Sequence, residues 1–292
     1  MKRLRIMTST SSSTGGDGCF TISNQRPIQE TLKKKPIVPS SLRFNASVME
    51  GFSKLIAEVL GTAFLMFGGC MGCVGWKGPA PDFVGAISFG LVVMTLIQCY
   101  GHISGAHFNP AVTVAAVVFR AISIPMAILY FFAQIIGATI GYRFLVAITP
   151  IKALAQSEGD HGFCQTAPHE DLNEAQAFAC EYIATTVLIS VCCAVWDPRN
   201  STKQDSIPIK FGLVIAVLSF IFGPYTGCSM NPVRTFAPAF WVQKYPMHWV
   251  YWIAPMSSGL ITSLGYKLLF IEKPEIDLEA VQPLRQDDLP KV

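Results

Sequence analysis

Six apolar stretches, each about 20 residues long, constrain the fold of this chain more than any other feature. Together they contain only two charged side chains, Glu58 in the first stretch and Glu181 in the fourth. A helix needs about 20 consecutive apolar residues to cross the hydrocarbon core of a bilayer. The sequence therefore predicts an all-α membrane protein with six transmembrane helices, at 55–75, 83–101, 121–142, 176–196, 211–230 and 247–266.

The charged residues concentrate at the two ends of the chain. Of the 41 Asp, Glu, Lys and Arg residues, 20 lie in 1–51 or 272–292. These ends are predicted to be cytoplasmic tails, the first of them largely disordered, and the N-terminus lacks the apolar core of a secretory signal. The net charge of +3 reflects the basic N-terminal tail. It favours contact with lipid head groups and gives no support to a nucleic-acid partner.

The distribution of Lys and Arg between the connections predicts the orientation in the membrane. Nine lie within 1–54, and three more flank the fourth connection, Arg199, Lys203 and Lys210. The third connection, 148–175, has one Lys against five carboxylates. Because positive residues favour the cytoplasmic side, both termini and the fourth connection are predicted to be cytoplasmic and the third connection to face out. The plasma membrane is the expected location.

The nine cysteines do not predict a disulfide framework or a metal site. Six of those inside predicted helices, named below, show no metal-ligand spacing beyond the CMGC segment at 70–73. We therefore expect packed, small apolar side chains at Cys70, Cys73, Cys99, Cys180, Cys192 and Cys193. No metal and no cofactor is expected.

The chain contains an internal repeat that is seen by counting from Asn109 and Asn231. FGLV starts 20 residues before each Asn, Glu58 and Glu181 lie 51 and 50 residues before, and a Gly lies 28 residues after. Matched offsets indicate a duplicated fold. Each half, about 52–148 and 176–271, holds three spans. An odd number of crossings makes the second half an inverted copy of the first.

Two apolar segments, 107–119 and 231–242, are too short to cross the bilayer, and each begins at an Asn-Pro pair. They are predicted to be re-entrant half-helices that enter from opposite sides and meet near the midplane. Asn is a favoured N-cap and Pro suits the first helical position. Two helix N-termini at one point disfavour cations, protons included. The arrangement suits a pore for neutral molecules.

Short Gly-containing stretches precede the two asparagines, at 101–107 and 225–229. Their irregular backbone is expected to present a ladder of carbonyl acceptors to the pore. The candidate carbonyls are those of Gly105, Ala106, His107, Gly227, Cys228 and Ser229.

The motifs SGAHFNPAV at 104–112 and TGCSMNPVR at 226–234, within a six-span inverted repeat, resemble the aquaporin or major intrinsic protein family. The resemblance covers about 52–271. It implies an aquaporin-like six-helix bundle with two re-entrant NPA half-helices, a passive channel, and a homotetramer with one pore per subunit. The NPA positions it implies are Asn109, Pro110, Ala111, Asn231, Pro232 and Val233, where Val233 departs from the usual Ala.

The resemblance also implies a four-residue selectivity filter: Phe89, Ser219, Cys228 and Arg234. Strict water channels of the family have His at the position of Ser219, and Ser should widen the filter. Thr235 stands where polyol channels of the family have Asp, and the Tyr251-Trp252 pair is similar to the aromatic pair of the water-type members. Both features resemble water channels. The combination resembles the insect glycerol-permeable entomoglyceroporins. We expect passage of water, glycerol and urea, and block by mercurials at Cys228.

Several residues have a second interpretation. Glu58 and Glu181 could form a proton relay, but one at a similar offset in each repeat favours structural carboxylates that accept N–H groups from the re-entrant loops. Arg234 could extend to the membrane interface. His102 and His107 suggest a metal or gating role, yet the lack of partner ligands favours packed or carbonyl-presenting histidines.

Other classes of function remain as alternatives to the solute channel. A strict water channel results if a neighbour fills the space beside Ser219. A coupled transporter would need titratable groups at its central site, and only the two glutamates are available. A non-conducting or adhesive protein could retain the same fold. An enzyme is not expected, because the sequence shows no nucleophile–base pair, metal cluster or phosphate loop.

Overall fold

The computed structural model describes residues 46–76, 82–157 and 162–271. Over these residues the protein is all-α, as predicted. Most of the predicted N-terminal tail and all of the C-terminal tail lie outside the described residues. The helices are α1 (Ala46–Met71), α2 (Asp82–Ser104), α3 (Pro110–Val118), α4 (Ile124–Ile148), α5 (Ile151–Ser157), α6 (Glu174–Trp196), α7 (Ile207–Thr226), α8 (Pro232–Val242) and α9 (Val250–Leu269).

Within the described ranges, five helices are long and apolar enough to cross a membrane: α1, α2, α4, α6 and α7. The sixth predicted span corresponds to α9, which has 20 residues like α7 but is less apolar. Its serines and threonine lower the hydropathy, and their hydroxyls are bonded within the bundle. Ser258 and Thr262 meet Thr186 of α6, and Ser263 donates to the carbonyl of Gly259. A packed helix tolerates such residues because each polar group has a partner.

The two half-helices are shorter than the spanning helices, with nine residues in α3 and 11 in α8. At about 1.5 Å per residue neither is long enough to cross a hydrocarbon core of about 30 Å. They begin at Pro110 and Pro232, so both re-entrant segments are found where the sequence predicts them.

The helix contacts repeat between the two halves. In the first half α1 packs against α2 and α4, and in the second half α6 packs against α7 and α9. Each half-helix packs against a spanning helix of the other half: α3 against α9, and α8 against α4. The equivalent helices α2 and α7 contact each other, as do α3 and α8. This exchange is expected of an inverted repeat whose two copies share one core.

Glycines allow the closest helix contacts. A Cβ at Gly137 of α4 would lie 2.3 Å from the Val59 carbonyl oxygen of α1. A Cβ at Gly259 of α9 would lie 2.6 Å from the Ala111 carbonyl oxygen of α3. Both distances are too short for any larger residue without movement of the backbone. These glycines are the pair found at the same offset in the sequence, but the neighbours they meet are not equivalent, since Gly137 packs on α1 and Gly259 packs on α3.

Two expectations about the cysteines are wrong. Cys99 of α2, predicted to be packed, is exposed. Cys70, predicted to be a packed free thiol, forms a disulfide bond with Cys164. The two residues are 94 positions apart in the sequence. The segment after α5 folds back to the end of α1, and only this tertiary arrangement brings the sulfurs together. Among the described residues, the free cysteines include Cys192 and Cys193, which are buried in the core cluster of α6 as predicted.

Candidate functional site

The two asparagines cap the half-helices. Asn109 has extended backbone angles, and its side-chain oxygen accepts from the backbone N–H of Ala111 at 2.9 Å. Asn231 is also extended and accepts from the N–H groups of Val233 and Arg234, at 3.2 and 3.4 Å. Each cap satisfies helix-end donors that have no partner within the helix. The Asn-Pro pairs therefore begin the helices as the sequence predicts.

The same asparagines join the two repeats to each other. Asn109 Nδ2 donates to the Met230 carbonyl oxygen at 2.9 Å, and Asn231 Nδ2 donates to the Phe108 carbonyl oxygen at 2.9 Å. Each bond reaches the residue that directly precedes the other asparagine. Because an amide group has two N–H donors, each side chain retains a second donor. Both asparagines line the cavity described below, where that donor is available.

The remaining residues of the NPA motifs lie behind the asparagines. Pro110, Ala111, Pro232 and Val233 are buried, and none is among the residues that line the cavity. Val233 packs in a hydrophobic cluster with Met66 and Ala237. The two additional methyl carbons of Val233 relative to Ala are therefore accommodated in the core and do not narrow the cavity.

A buried glutamate holds the loop that precedes each half-helix. Glu58 Oε1 accepts from Ser104 Oγ and from the backbone N–H of His107, at 2.8 and 3.0 Å. Its Oε2 accepts from the Phe108 N–H and from Gln134 Nε2, both at 2.8 Å. All four groups act as donors, so both carboxylate oxygens are fully occupied as acceptors.

Glu181 repeats this arrangement in the second half. Its Oε1 accepts from Thr226 Oγ1 at 2.6 Å and from the Ser229 N–H at 2.9 Å. Its Oε2 accepts from the Met230 N–H at 2.8 Å. Like Glu58 it is completely buried. The contacts are those expected of structural carboxylates, because they order the loop backbone.

These loops have an unusual and duplicated backbone. Gly105, Ala106 and Phe108 have positive φ, and so do their counterparts Gly227, Cys228 and Met230. Non-glycine residues rarely adopt this region, and they persist in it when surrounding contacts hold them. The glutamates supply such contacts. Within the described part of the chain, no hydrogen bond reaches the six predicted pore carbonyls, those of Gly105, Ala106, His107, Gly227, Cys228 and Ser229.

A cavity of about 1150 Å³ passes both asparagines. It is lined by α7 from Ile207 to Pro224, a distance of about 25 Å at 1.5 Å per residue,. This approaches the hydrocarbon thickness of a bilayer, about 30 Å. The residues with predicted pore carbonyls all line it. The structure therefore contains an elongated cavity with amide donors at its centre and carbonyl-bearing residues along its wall.

The four predicted filter residues meet in this cavity. The guanidinium carbon of Arg234 lies 5.0 Å from the centre of the Phe89 ring. Ser219 and Cys228 also line the cavity. Arg234 is only 8% exposed, and its Nη1 donates to the Cys164 carbonyl oxygen at 2.7 Å. The alternative in which Arg234 extends to the membrane interface is therefore wrong.

His107 is a packed histidine. Its Nδ1 lies 3.1 Å from Thr113 Oγ1, and its ring contacts Tyr130 and Trp196 edge-on. Over the described ranges, no group of three or more His, Cys, Asp or Glu side chains could hold a metal ion.

A set of residues that support the loops was not predicted from the sequence. Ser104 and Thr226, each five residues before its Asn, donate their hydroxyls to Glu58 and Glu181. Tyr130 OH donates to the Ser104 carbonyl oxygen at 2.8 Å, and Tyr251 OH donates to the Thr226 carbonyl oxygen at 2.7 Å. The signal was present in the sequence, since the two hydroxyl residues share one offset and the two tyrosines differ by one position.

Comparisons with known proteins agree with this geometry. The family model described as major intrinsic protein matches residues 45–266. Aquaporin-4 of Mus musculus is 35% identical over 228 residues, which cover 76% of this chain and 68% of that protein. The lens fiber major intrinsic protein of Lithobates pipiens is 36% identical over 221 residues, covering 75% of this chain and 81% of that protein.

A solved structure has the same fold. The X-ray structure of the aquaglyceroporin from Plasmodium falciparum superposes with a TM-score of 0.64 and covers 75% of this chain and 96% of that chain. At 22% identity this likeness shows the fold alone. The family match covers most of the chain and includes both capped half-helices and the cavity between them. This chain therefore belongs to the major intrinsic protein family, whose aquaporins are passive membrane channels and not enzymes.

Proposed function

We propose that this channel conducts water, glycerol and urea and excludes protons and ions. The observation that carries the proposal is Ser219, a small side chain in the filter, where it lines the cavity with Phe89 and Arg234. A bulky residue at this place would reduce the opening, and Ser leaves it wide. The phenyl ring of Phe89 offers an apolar wall to a carbon chain, and Arg234 offers donors to hydroxyl or carbonyl oxygens.

Protons are excluded by the amide donors at the centre of the cavity together with the N-terminal ends of the two half-helices. A water molecule that accepts the free N–H of Asn109 or Asn231 must turn its own hydrogens away, toward the carbonyl ladders on either side. The N-termini of α3 and α8 also meet at this place, and their positive dipole ends disfavour cations. Arg234 adds a full positive charge to the filter. A neutral solute can form hydrogen bonds with these donors and acceptors and is not repelled by the positive charge.

A strict water channel is the second candidate. Thr235 stands where polyol channels have Asp, and its hydroxyl contacts Ser229 and Thr166 in a completely buried position. This residue lies outside the cavity lining, so its identity does not set the pore width. We therefore give more weight to Ser219. We further propose a homotetramer in the plasma membrane, with both termini cytoplasmic.

Permeability of the unmodified protein tests the proposal. Proteoliposomes with the full-length chain are expected to pass water in an osmotic gradient, and glycerol and urea in their own gradients, above empty liposomes. A pH-sensitive dye inside the vesicles is expected to show no added proton flux. Passage of water alone would support the strict water channel. No passage by folded protein would support a non-conducting role.

Mercurial block provides a second test at Cys228. This thiol lines the cavity in the filter, and a mercury atom on its sulfur would obstruct the opening. We expect mercuric chloride to reduce water permeability by about tenfold, which corresponds to about 1.4 kcal/mol in the barrier. Cys228→Ser is expected to conduct normally and to resist the block. Equal block of this variant would place the reactive thiol elsewhere, with Cys73, which also lines the cavity, as the next candidate.

A further inference from the structure

A short segment covers the filter beside Arg234. We call residues 162–169 the filter strap. Its backbone and side chains contact the helices that surround the cavity. Tyr142 OH donates to the Phe163 carbonyl oxygen at 2.9 Å, Thr166 Oγ1 lies 2.7 Å from Thr235 Oγ1, and the His169 N–H donates to the Tyr225 carbonyl oxygen at 2.8 Å.

Cys164 is the residue of the strap that meets the filter. Its carbonyl oxygen accepts from Arg234 Nη1 at 2.7 Å, and its Sγ lies 3.7 Å from Arg234 Nη2. Over the described residues, every hydrogen-bond acceptor of this guanidinium belongs to Cys164. The sulfur of Cys164 is bonded to Cys70 in the last turn of α1. The filter arginine is thus connected, through one residue, to a covalent cross-link.

We propose that Cys164 is a positioning residue of the selectivity filter, and that its disulfide bond with Cys70 holds the guanidinium of Arg234 against the pore wall. The proposal rests on the proposed solute channel and adds the element that fixes its filter. A buried guanidinium requires acceptors, because burial of an unpaired charge is costly. If the strap moves, the N–H groups of Arg234 turn to water in the cavity and occupy the opening.

The disulfide adds a covalent constraint to strap contacts that are otherwise non-covalent, namely hydrogen bonds and the packing of the buried Phe163 and Thr166. The disulfide joins the strap to a spanning helix and limits how far the Cys164 carbonyl can move. The strap belongs to the third connection, which the charge pattern predicts to face out, and disulfides persist in such oxidising surroundings.

Cys70→Ser and Cys164→Ser test the proposal from the two ends of the bond. Both variants retain the backbone carbonyl at position 164 and lose the cross-link. We expect the ratio of glycerol to water permeability to fall by about threefold or more in each, because the larger solute is obstructed first. The double variant is expected to show no further fall, since both changes remove one interaction. Cys99→Ser, at an exposed free thiol on α2, is the matched control and should equal the parent.

Reduction of the folded parent avoids any failure of a variant to fold. Dithiothreitol transfers two electrons and two protons to the bond, gives two thiols and becomes its own cyclic disulfide. The parent is expected to change its permeability ratio on this treatment, and Cys164→Ser is expected to be insensitive. In an Arg234→Val background, loss of the disulfide should leave the ratio unchanged, because the positioned group is absent.

Labelling of Arg234 reads its position without relying on conduction. Phenylglyoxal modifies accessible guanidinium groups, and mass spectrometry reports each site. We expect labelling of Arg234 to rise when the disulfide is removed or reduced, while labelling of the exposed Arg120 stays constant. If the parent passes no glycerol, the proposed solute range fails and the labelling still decides this inference. Unchanged labelling and an unchanged permeability ratio after loss of the bond would overturn it.

Discussion

Ser219→His is expected to abolish glycerol and urea permeation while water flow persists. The imidazole would extend from α7 into the cavity beside Phe89 and Arg234, which contact each other at 5.0 Å from ring centre to guanidinium carbon. The imidazole would replace a small hydroxyl, and the opening would narrow because the other filter residues are packed in place. A narrower filter retains a file of water molecules but rejects a three-carbon chain.

The expected loss for glycerol and urea is at least about tenfold, since a rise of about 1.4 kcal/mol in the barrier is sufficient. The measurement is the swelling of proteoliposomes in solute gradients and their shrinkage in an impermeant osmolyte, normalised to the amount of reconstituted protein. Ser219→Ala is the matched control, because it keeps the space and removes only the hydroxyl. It should pass both solutes at close to the parental rate.

Two results would contradict the assignment of the filter. If Ser219→His still passes glycerol, the narrowest point of the cavity lies away from this residue. If Ser219→Ala loses glycerol as well, the hydroxyl itself binds the solute, and width is not the determinant.

Glu58→Leu is expected to prevent formation of a stable channel. Four buried donors lose their acceptors: Ser104 Oγ, Gln134 Nε2 and the backbone N–H groups of His107 and Phe108. An unsatisfied buried polar group costs about 1–3 kcal/mol, so the sum is on the order of 5 kcal/mol or more. That is comparable to the whole stability of many proteins, about 5–15 kcal/mol. The loop with positive φ at Ala106 and Phe108 would lose the contacts that hold it.

Folding of this variant is measured by size-exclusion chromatography in detergent and by the midpoint of thermal unfolding. Glu50→Gln is the control on the same helix. Its exposed carboxylate pairs with Lys54 at 2.7 Å, and such surface pairs contribute about 0–1 kcal/mol,. A folded Glu58→Leu channel with a parental midpoint would show that the loop is held by other contacts. If the parent does carry a proton flux and a folded Glu58→Leu variant loses it, the result would instead favour the relay role.

Because the fold is duplicated, much of this site could be predicted from the sequence. Asn109 and Asn231 lie at matched positions in the two repeats, and counting residues from them finds Glu58 and Glu181 without knowledge of the fold. The same counting would have identified Ser104 and Thr226, had hydroxyl residues been included. Short-range rules were also sufficient for the half-helices, because an Asn cap and a Pro at the first position act within one turn.

The membrane class, the inverted repeat and the starts of both half-helices could be predicted from local patterns, because hydropathy and capping act through neighbouring residues and because the two repeats show the same pattern. Tertiary structure alone decided the partners of those residues. The crossed bonds from each Asn to the carbonyl beside the other join positions 121 and 123 residues apart, and the bridge from Cys70 to Cys164 joins positions 94 residues apart. Cys164 has no counterpart in the repeat and no local pattern, so its contact with Arg234 exists only once the chain has folded.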